Sequence, residues 1–160
     1  MSETPTLRPY LATDTPVLAA IFAAAITELT GDEYSEEQQE AWAAVAEDEE
    51  FGRRLAADLT LIATMQNSAV GFASLRGKDH IRMLYVHPNV ARQGVASMLV
   101  DALEKLAGGR GAEKLTVDAS DSAAEFFRKR GYVAQQRNSI TINGEWLANT
   151  TMQKTLGGKP

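Results

Sequence analysis

Apolar side chains at Leu18, Ile21, Phe22, Ala25, Ile26 and Leu29 recur three and four residues apart. That is the spacing of one helix face, and Pro16 suits its first turn. A shorter helix starts at Ser35, where Ser35 and Gln38 stand at capping-box distance and Trp42 and Val45 supply an apolar face. Ahead of both, TLRPYLA reads as a first strand. The period then changes. LTLIATM and AVGFASL are strand-like runs separated by the polar Gln66, Asn67 and Ser68, which predicts a hairpin. Gly77-Lys78-Asp79 turns the chain into HIRMLYVH, so three antiparallel strands follow one another.

Helical spacing returns over residues 94–107, with Val95, Met98, Leu99, Ala102, Leu103 and Leu106 on one face and Gly108-Gly109 as the stop. KLTVDAS is the next strand. A short helix opens at Ser122, with Glu125 at capping-box distance, and closes at Gly131. Asn143-Gly144 predicts a tight hairpin between the last two strands. The pattern predicts one α+β domain over residues 1–160, with a central mixed, mostly antiparallel sheet of about seven strands and about four flanking helices.

Composition narrows the chemistry. With 160 residues and 44% hydrophobic content, the chain can bury a core of its own. It has no cysteine, which excludes disulfides, thiolate metal sites and a cysteine nucleophile. No metal site is expected. MSETPTLRPY has no basic region followed by an apolar core, and no apolar run approaches the roughly 18 residues of a membrane span, so a soluble, cytoplasmic protein with no membrane partner is expected. A net charge of -5 and a pI near 5.1 argue against nucleic acid. The charge is uneven: residues 31–50 hold nine acids and no Lys or Arg, whereas residues 76–137 hold eleven basic residues against seven acids.

In LYVHPNVARQGVASMLVDALEKLA, residues 84–107, a strand leads through a polar loop into a helix that Gly94 opens. The first N–H groups of a helix lack intrahelical partners and lie at the positive end of its dipole, so this junction favours an anion such as phosphate. Glycine lets the backbone approach closely, and Arg92 adds a cation. Neither G-x-x-x-x-G-K-[ST] nor G-x-G-x-x-G occurs in this loop. The GGRG at 108–111 reads as a helix stop.

This segment resembles the acetyl-CoA-binding motif of the GCN5-related N-acetyltransferases, [QR]-x-x-G-x-[GA] after a strand ending in V-x-P. The order of elements over residues 5–156 is similar to that of the family, and LTVDASDSAAEFFRKRGY resembles its second cofactor-contacting strand and helix. The resemblance implies acetyl-CoA along Leu84, Tyr85 and Val86, over Arg92, Gln93, Gly94, Val95, Ala96 and Ser97, and beside Ser120 and Phe127. It further implies an acceptor side over residues 14–46, a cofactor core over 59–134, a C-terminal hairpin over 132–156, and a monomer or homodimer. Ala91 departs from the motif, which has Gln or Arg there. Phe127 stands where many members carry a tyrosine proposed to protonate the leaving thiolate, and Ser120 replaces a common asparagine.

The implied reaction is direct attack of a primary amine on the thioester, polarised by backbone N–H groups such as that of Leu84. His80 is the candidate base, against a reading as a surface histidine near a turn. Asp118 could orient a base, bind an amine or cap the following helix. Tyr85 is a core aromatic or a substrate-wall hydroxyl, and His87 a strand-ending surface residue. Asp32, Glu33 and Tyr34 fall in the implied acceptor wall, where acids would draw in a small cationic amine. The same acids also read as a solvated helix face. The alternatives are a CoA-binding module without turnover and an enzyme acting on a protein amine.

Overall fold

The computed structural model describes residues 4–157. In chain order the elements are β1 (Thr6–Pro9), α1 (Thr15–Leu29), α2 (Glu36–Ala43), α3 (Glu49–Ala57), β2 (Leu59–Met65), β3 (Ser68–Arg76), β4 (His80–Val86), α4 (Val95–Gly109), β5 (Lys114–Ser120), α5 (Ala124–Lys129), β6 (Val133–Ile142) and β7 (Glu145–Thr155). Two hairpins turn on residue pairs with positive φ at both positions: Gln66 and Asn67 (54° and 66°), and Asn143 and Gly144 (46° and 88°). That geometry matches the twist of the strands it joins. The strands form one mixed sheet in the order β1-β2-β3-β4-β5-β7-β6. Among the described residues only β4 and β5 pair in parallel, because α4 carries the chain between them.

Five α-helices are present among the described residues, where the hydrophobic pattern predicted about four. The additional one is α3, hidden by its charges: only Phe51 and Leu55 are buried on it. A nine-residue helix is marginal by itself. Complete burial of these two side chains contributes about 1.5–3 kcal/mol each, enough to hold it in place. Helix α2 starts as predicted, with the Ser35 Oγ accepting from the Gln38 N–H (3.1 Å) and the Ser35 N–H donating to Gln38 Oε1 (2.8 Å). Val45 lies in the 3-10 turn that follows it. Helix α5 starts at Ala124 without the expected capping box; the Ser122 hydroxyl instead donates to Glu33 Oε1 (2.7 Å).

Residues Ala12–Leu29 form a helical stretch long and apolar enough to cross a membrane, contrary to the reading of the sequence. Its apolar stripe, Leu18, Ile21, Phe22 and Ile26, packs with Phe51, Leu55, Ile62 and Phe72, so it is a core helix of this domain.

The sheet separates two cores. On one face α4 contributes Val95, Leu99 and Leu103, and α5 contributes Phe127; on the other, α1 and α3 contribute the cluster just described. Along β4 the pairing with β3 slips: Ile81 faces Leu75 and Met83 faces Ser74, which leaves Arg82 as an extra residue. Such a bulge inverts the alternation of faces. Ile81 therefore joins the α4 core, and Met83 joins the α1 core. Gly71 brings α4 down onto the sheet, because a Cβ there would meet Val95 Cγ1 at 3.2 Å and the Tyr85 carbonyl oxygen at 3.1 Å.

Candidate active site

The parallel register between β4 and β5 consists of His80 with Thr116 and Ile81 with Val117. Beyond it, where the Arg82 bulge sits, the strands diverge. A cavity of about 480 Å³ occupies the opening, within the usual range for small-ligand sites. Its walls come from both cores. Leu84, Val117, Ala119 and Phe127 belong to the α4 side, and Phe22, Trp42, Met83 and Tyr85 to the α1 side. The cavity thus passes through the sheet.

The start of α4 follows β4 through the loop of residues 87–94, outside the cavity lining itself. Gly94 is its N-cap, left-handed at φ 86° and ψ 2°, and a Cβ there would meet nothing within 4 Å. Arg92 is also left-handed, at φ 65°. The first helical bond runs from the Met98 N–H to the Gly94 carbonyl (3.0 Å), so the N–H groups of Val95, Ala96 and Ser97 have no intrahelical partner. Arg92, Gln93 and Gly94 are exposed, whereas the Val95 side chain is buried and only its backbone faces the loop. Gln93 Nε2 donates to the Asn89 carbonyl (3.3 Å), which orders the loop internally. A helix start with three N–H groups lacking intrahelical partners suits an anion.

His80 lies within the cavity lining, with its side chain 15% exposed. Its Nδ1 is 2.7 Å from Thr116 Oγ1, and the Thr116 hydroxyl donates to the Asp79 carbonyl (3.2 Å). A hydroxyl has one proton, so with that proton on Asp79 the imidazole carries its own on Nδ1 and leaves Nε2 as the basic atom. Nε2 stands 3.9 Å from Asp118 Oδ2. Burial holds the His80 pKa below the ordinary 6.5, the charge of Arg76 lowers it further, and Asp118 partly opposes both. Asp118 does not cap α5; its Oδ1 accepts from the Thr151 hydroxyl (2.7 Å) across the sheet.

On the α1 side, β7 and the α2 region are fastened together. The Tyr34 hydroxyl donates to the Ala148 carbonyl (2.6 Å) and accepts from the Asp121 N–H (2.9 Å). Gln38 Nε2 donates to the Trp146 carbonyl (2.7 Å), and Asn143 Nδ2 to that of Ala41 (2.8 Å). Tyr34 and Trp42 pack edge to face at 5.3 Å, and both line the cavity. Asp32 and Glu33 are exposed and outside the lining.

Tyr85 stacks on Phe22 (4.6 Å) and Phe72 (5.7 Å), and burial pushes its hydroxyl pKa up to about 12. Val86 is half-buried and outside the lining. Phe127 is buried against Tyr132, edge to face at 5.1 Å. The Ser120 Oγ accepts from the Ala123 N–H (3.2 Å). His87 ends its strand, and its Nδ1 accepts from the Asn89 N–H (3.1 Å). Among the described residues no cluster of three or more His, Asp or Glu side chains could hold a metal.

Pattern reading missed Arg54, Arg76 and Arg82 in the cavity lining. A signal existed for one of them, since the Gly77–Asp79 turn sets Arg76 opposite His80.

Residues 30–156 match the family model described as an acetyltransferase (GNAT) domain. The chain is 35% identical over 147 residues to the uncharacterized N-acetyltransferase YafP of Escherichia coli K12, covering 92% of this chain and 93% of that one. It is 66% identical to a GCN5-related N-acetyltransferase from Rhodopseudomonas palustris, whose crystal structure superposes with a TM-score of 0.94 over 98% of this chain and 99% of the other. The PaiA N-acetyltransferase of Thermoplasma acidophilum, solved with coenzyme A, shares the fold at 18% identity, with a TM-score of 0.79 over 95% of this chain and 99% of its own.

Proposed function

This chain belongs to the GCN5-related N-acetyltransferase family and is an acetyltransferase with acetyl-CoA as co-substrate, and on that premise we propose direct transfer of the acetyl group to a primary amine. The observation that carries this reading is the cavity through the sheet. The thioester enters from the α4 face, with its phosphates at residues 92–97 and its acetyl end beside Leu84. The amine enters from the α1 face, over residues 14–46. Both reactants then meet in one opening, and positioning supplies much of the rate.

Beyond Ile81, β4 has no strand registered on its β5 side. Backbone N–H groups around Leu84 are thereby available to the developing oxyanion. The amine arrives as ammonium. His80 Nε2 takes one proton, directly or through a water, and passes it to solvent. The new N–C bond forms as the C–S bond breaks. The second nitrogen proton goes to the departing thiolate, through Asp118 or water, since Phe127 offers no acidic proton. One acetamide, one free thiol and one released proton balance the reaction.

The expected small cationic acceptor rested on the 31–50 acids. Asp32 and Glu33 stand outside the cavity lining, so the lining residues themselves carry the acceptor argument. Ala91 and Phe127 favour a second reading, a CoA-binding module without turnover. A panel of primary amines with acetyl-CoA, read by thiol release, separates the two. Turnover of any amine supports transfer, and tight CoA binding with no turnover across peptide, polyamine and amino-acid acceptors overturns it.

A further inference from the structure

The charge of the cavity is opposite to that of the acidic segment. Arg54, Arg76 and Arg82 line it, and Asp118 is the one carboxylate in the lining among the described residues. The three cations are not equally engaged. Arg82 is committed to Asp58 through two hydrogen bonds (2.8 and 3.1 Å), and the Asp58 side chain is 3% exposed. Arg54 meets only Glu50 of its own helix, at 3.5 Å, and is half exposed. Arg76 is exposed and has no side-chain hydrogen bond or ion pair among the described residues, although it faces His80 across the β3–β4 pair. The same lining also holds the apolar Phe22, Trp42, Val45 and Ile140, beside the hydroxyls of Tyr34 and Tyr85.

A simple cationic amine would meet two underused guanidinium groups here, and like charges repel. An amine that also carries a carboxylate meets complementary groups at both ends. Resting on the acetyl-transfer reading above, we propose that the acceptor is a primary amine bearing a carboxylate and an apolar body, the chemistry of a hydrophobic α-amino acid. Its carboxylate sits on Arg76 and Arg54, its ammonium faces His80 and Asp118, and its side chain lies against Phe22 and Trp42. Planar guanidinium groups suit a carboxylate, which accepts two parallel N–H bonds. A carboxylate on Arg76 would also offset the positive field that weakens His80 as a base, so the bound acceptor would prepare its own deprotonation. Bonds and protons balance as already written, because the carboxylate is a handle that does not react.

Matched pairs test this. L-Phenylalanine is compared with phenethylamine, and L-leucine with isopentylamine, each with acetyl-CoA and read by thiol release. The carboxylate member of at least one pair is expected to have a kcat/KM about tenfold or more above its partner, as a charge-assisted contact implies. In Arg76→Gln that ratio collapses toward one. Equal or faster turnover of both decarboxylated amines overturns the inference and leaves acetyl transfer standing. If no acceptor is turned over, calorimetry of N-acetyl-L-phenylalanine against N-acetylphenethylamine with the CoA-loaded protein decides separately. A preference of about tenfold for the carboxylate supports the acceptor class while acetyl transfer fails, and equal binding overturns the acceptor class.

Discussion

Ile81 and Met83 stand two residues apart on one strand and are buried in opposite cores. Regular pleating would put both on one face. The unpaired Arg82 between them turns the strand over at the point where its pairing with β5 ends. The same residue thus ends the parallel ladder and supplies one wall of the cavity.

Two glycines should respond to substitution in different ways. At Gly94 a side chain finds open space, so Gly94→Val costs only the left-handed strain, about 1–2 kcal/mol. It should nonetheless weaken CoA by tenfold or more by calorimetry, because the loop can no longer present its N–H groups to phosphate. Gly71→Ala should do the reverse. Its Cβ meets the β4 backbone and Val95, so a loss of about 1–3 kcal/mol is expected. Thermal melting reads this as a fall of roughly 2–4 °C per kcal/mol in a domain of this size.

His80 should set the acidic limb of the rate profile. Its pKa lies below 6.5, so the limb should fall below that value as well. Asp118→Asn removes a charge that raises this pKa and should move the limb lower; Arg76→Gln removes one that depresses it and should move the limb higher. His80→Ala should lower kcat by about 10²-fold with CoA affinity retained. A neutral, half-buried histidine also favours folding at higher pH. Its contribution is complete above 6.5 and is lost as pH falls through the window between that value and the depressed one. A pH-rate curve that none of the three substitutions moves removes His80 from the mechanism.

Tyr34→Phe deletes one hydroxyl and unfastens two segments. The Ala148 carbonyl loses a donor and the Asp121 N–H an acceptor, for a cost of about 1–3 kcal/mol. The acceptor KM should rise more than the KM for acetyl-CoA. Steady-state kinetics beside a melting curve checks both effects, and equal changes in the two KM values would mean that Tyr34 does not shape the acceptor wall.

Phe127→Tyr tests whether a side-chain acid is missing. The ring is buried against Tyr132, so the new hydroxyl needs a partner inside the core, and some stability should be lost. Turnover should rise by less than about threefold, since a thiolate is a good leaving group without prior protonation. A tenfold rise in kcat, with a new basic limb, would show that protonation of the leaving group limits the reaction.

The legible parts of the molecule were those that local chemistry dictates. The stripe on α1, the Asn143-Gly144 hairpin, the Ser35–Gln38 box and the glycine before α4 each declare themselves within a few residues. Helix α3 did not, because its two buried side chains stand among charges that mimic a solvated segment. Arg82 carries no mark of a bulge, since what makes it one is the register of its neighbour. The links from Tyr34 to residues 87 and 114 positions away leave no pattern at all. Reading the 31–50 acids as an acceptor lining failed to anticipate the arginines, because nearness in sequence to a helix face says little about which charges face inward.

The narrow seam between β4 and β5 also divides the strands of the sheet into two groups. Strands β1 to β4 pair in sheet order with their sequence neighbours, and β5, β7 and β6 form a second group joined to the first by two registered residue pairs. Backbone amides along β2 and β3 should therefore resist hydrogen exchange far longer than those flanking the seam, which open without global unfolding. A ligand gripping α4 on one side and β7 on the other would staple the two groups together. Protection gained at β4 and β5 would then report occupancy of the cavity without any chemical turnover.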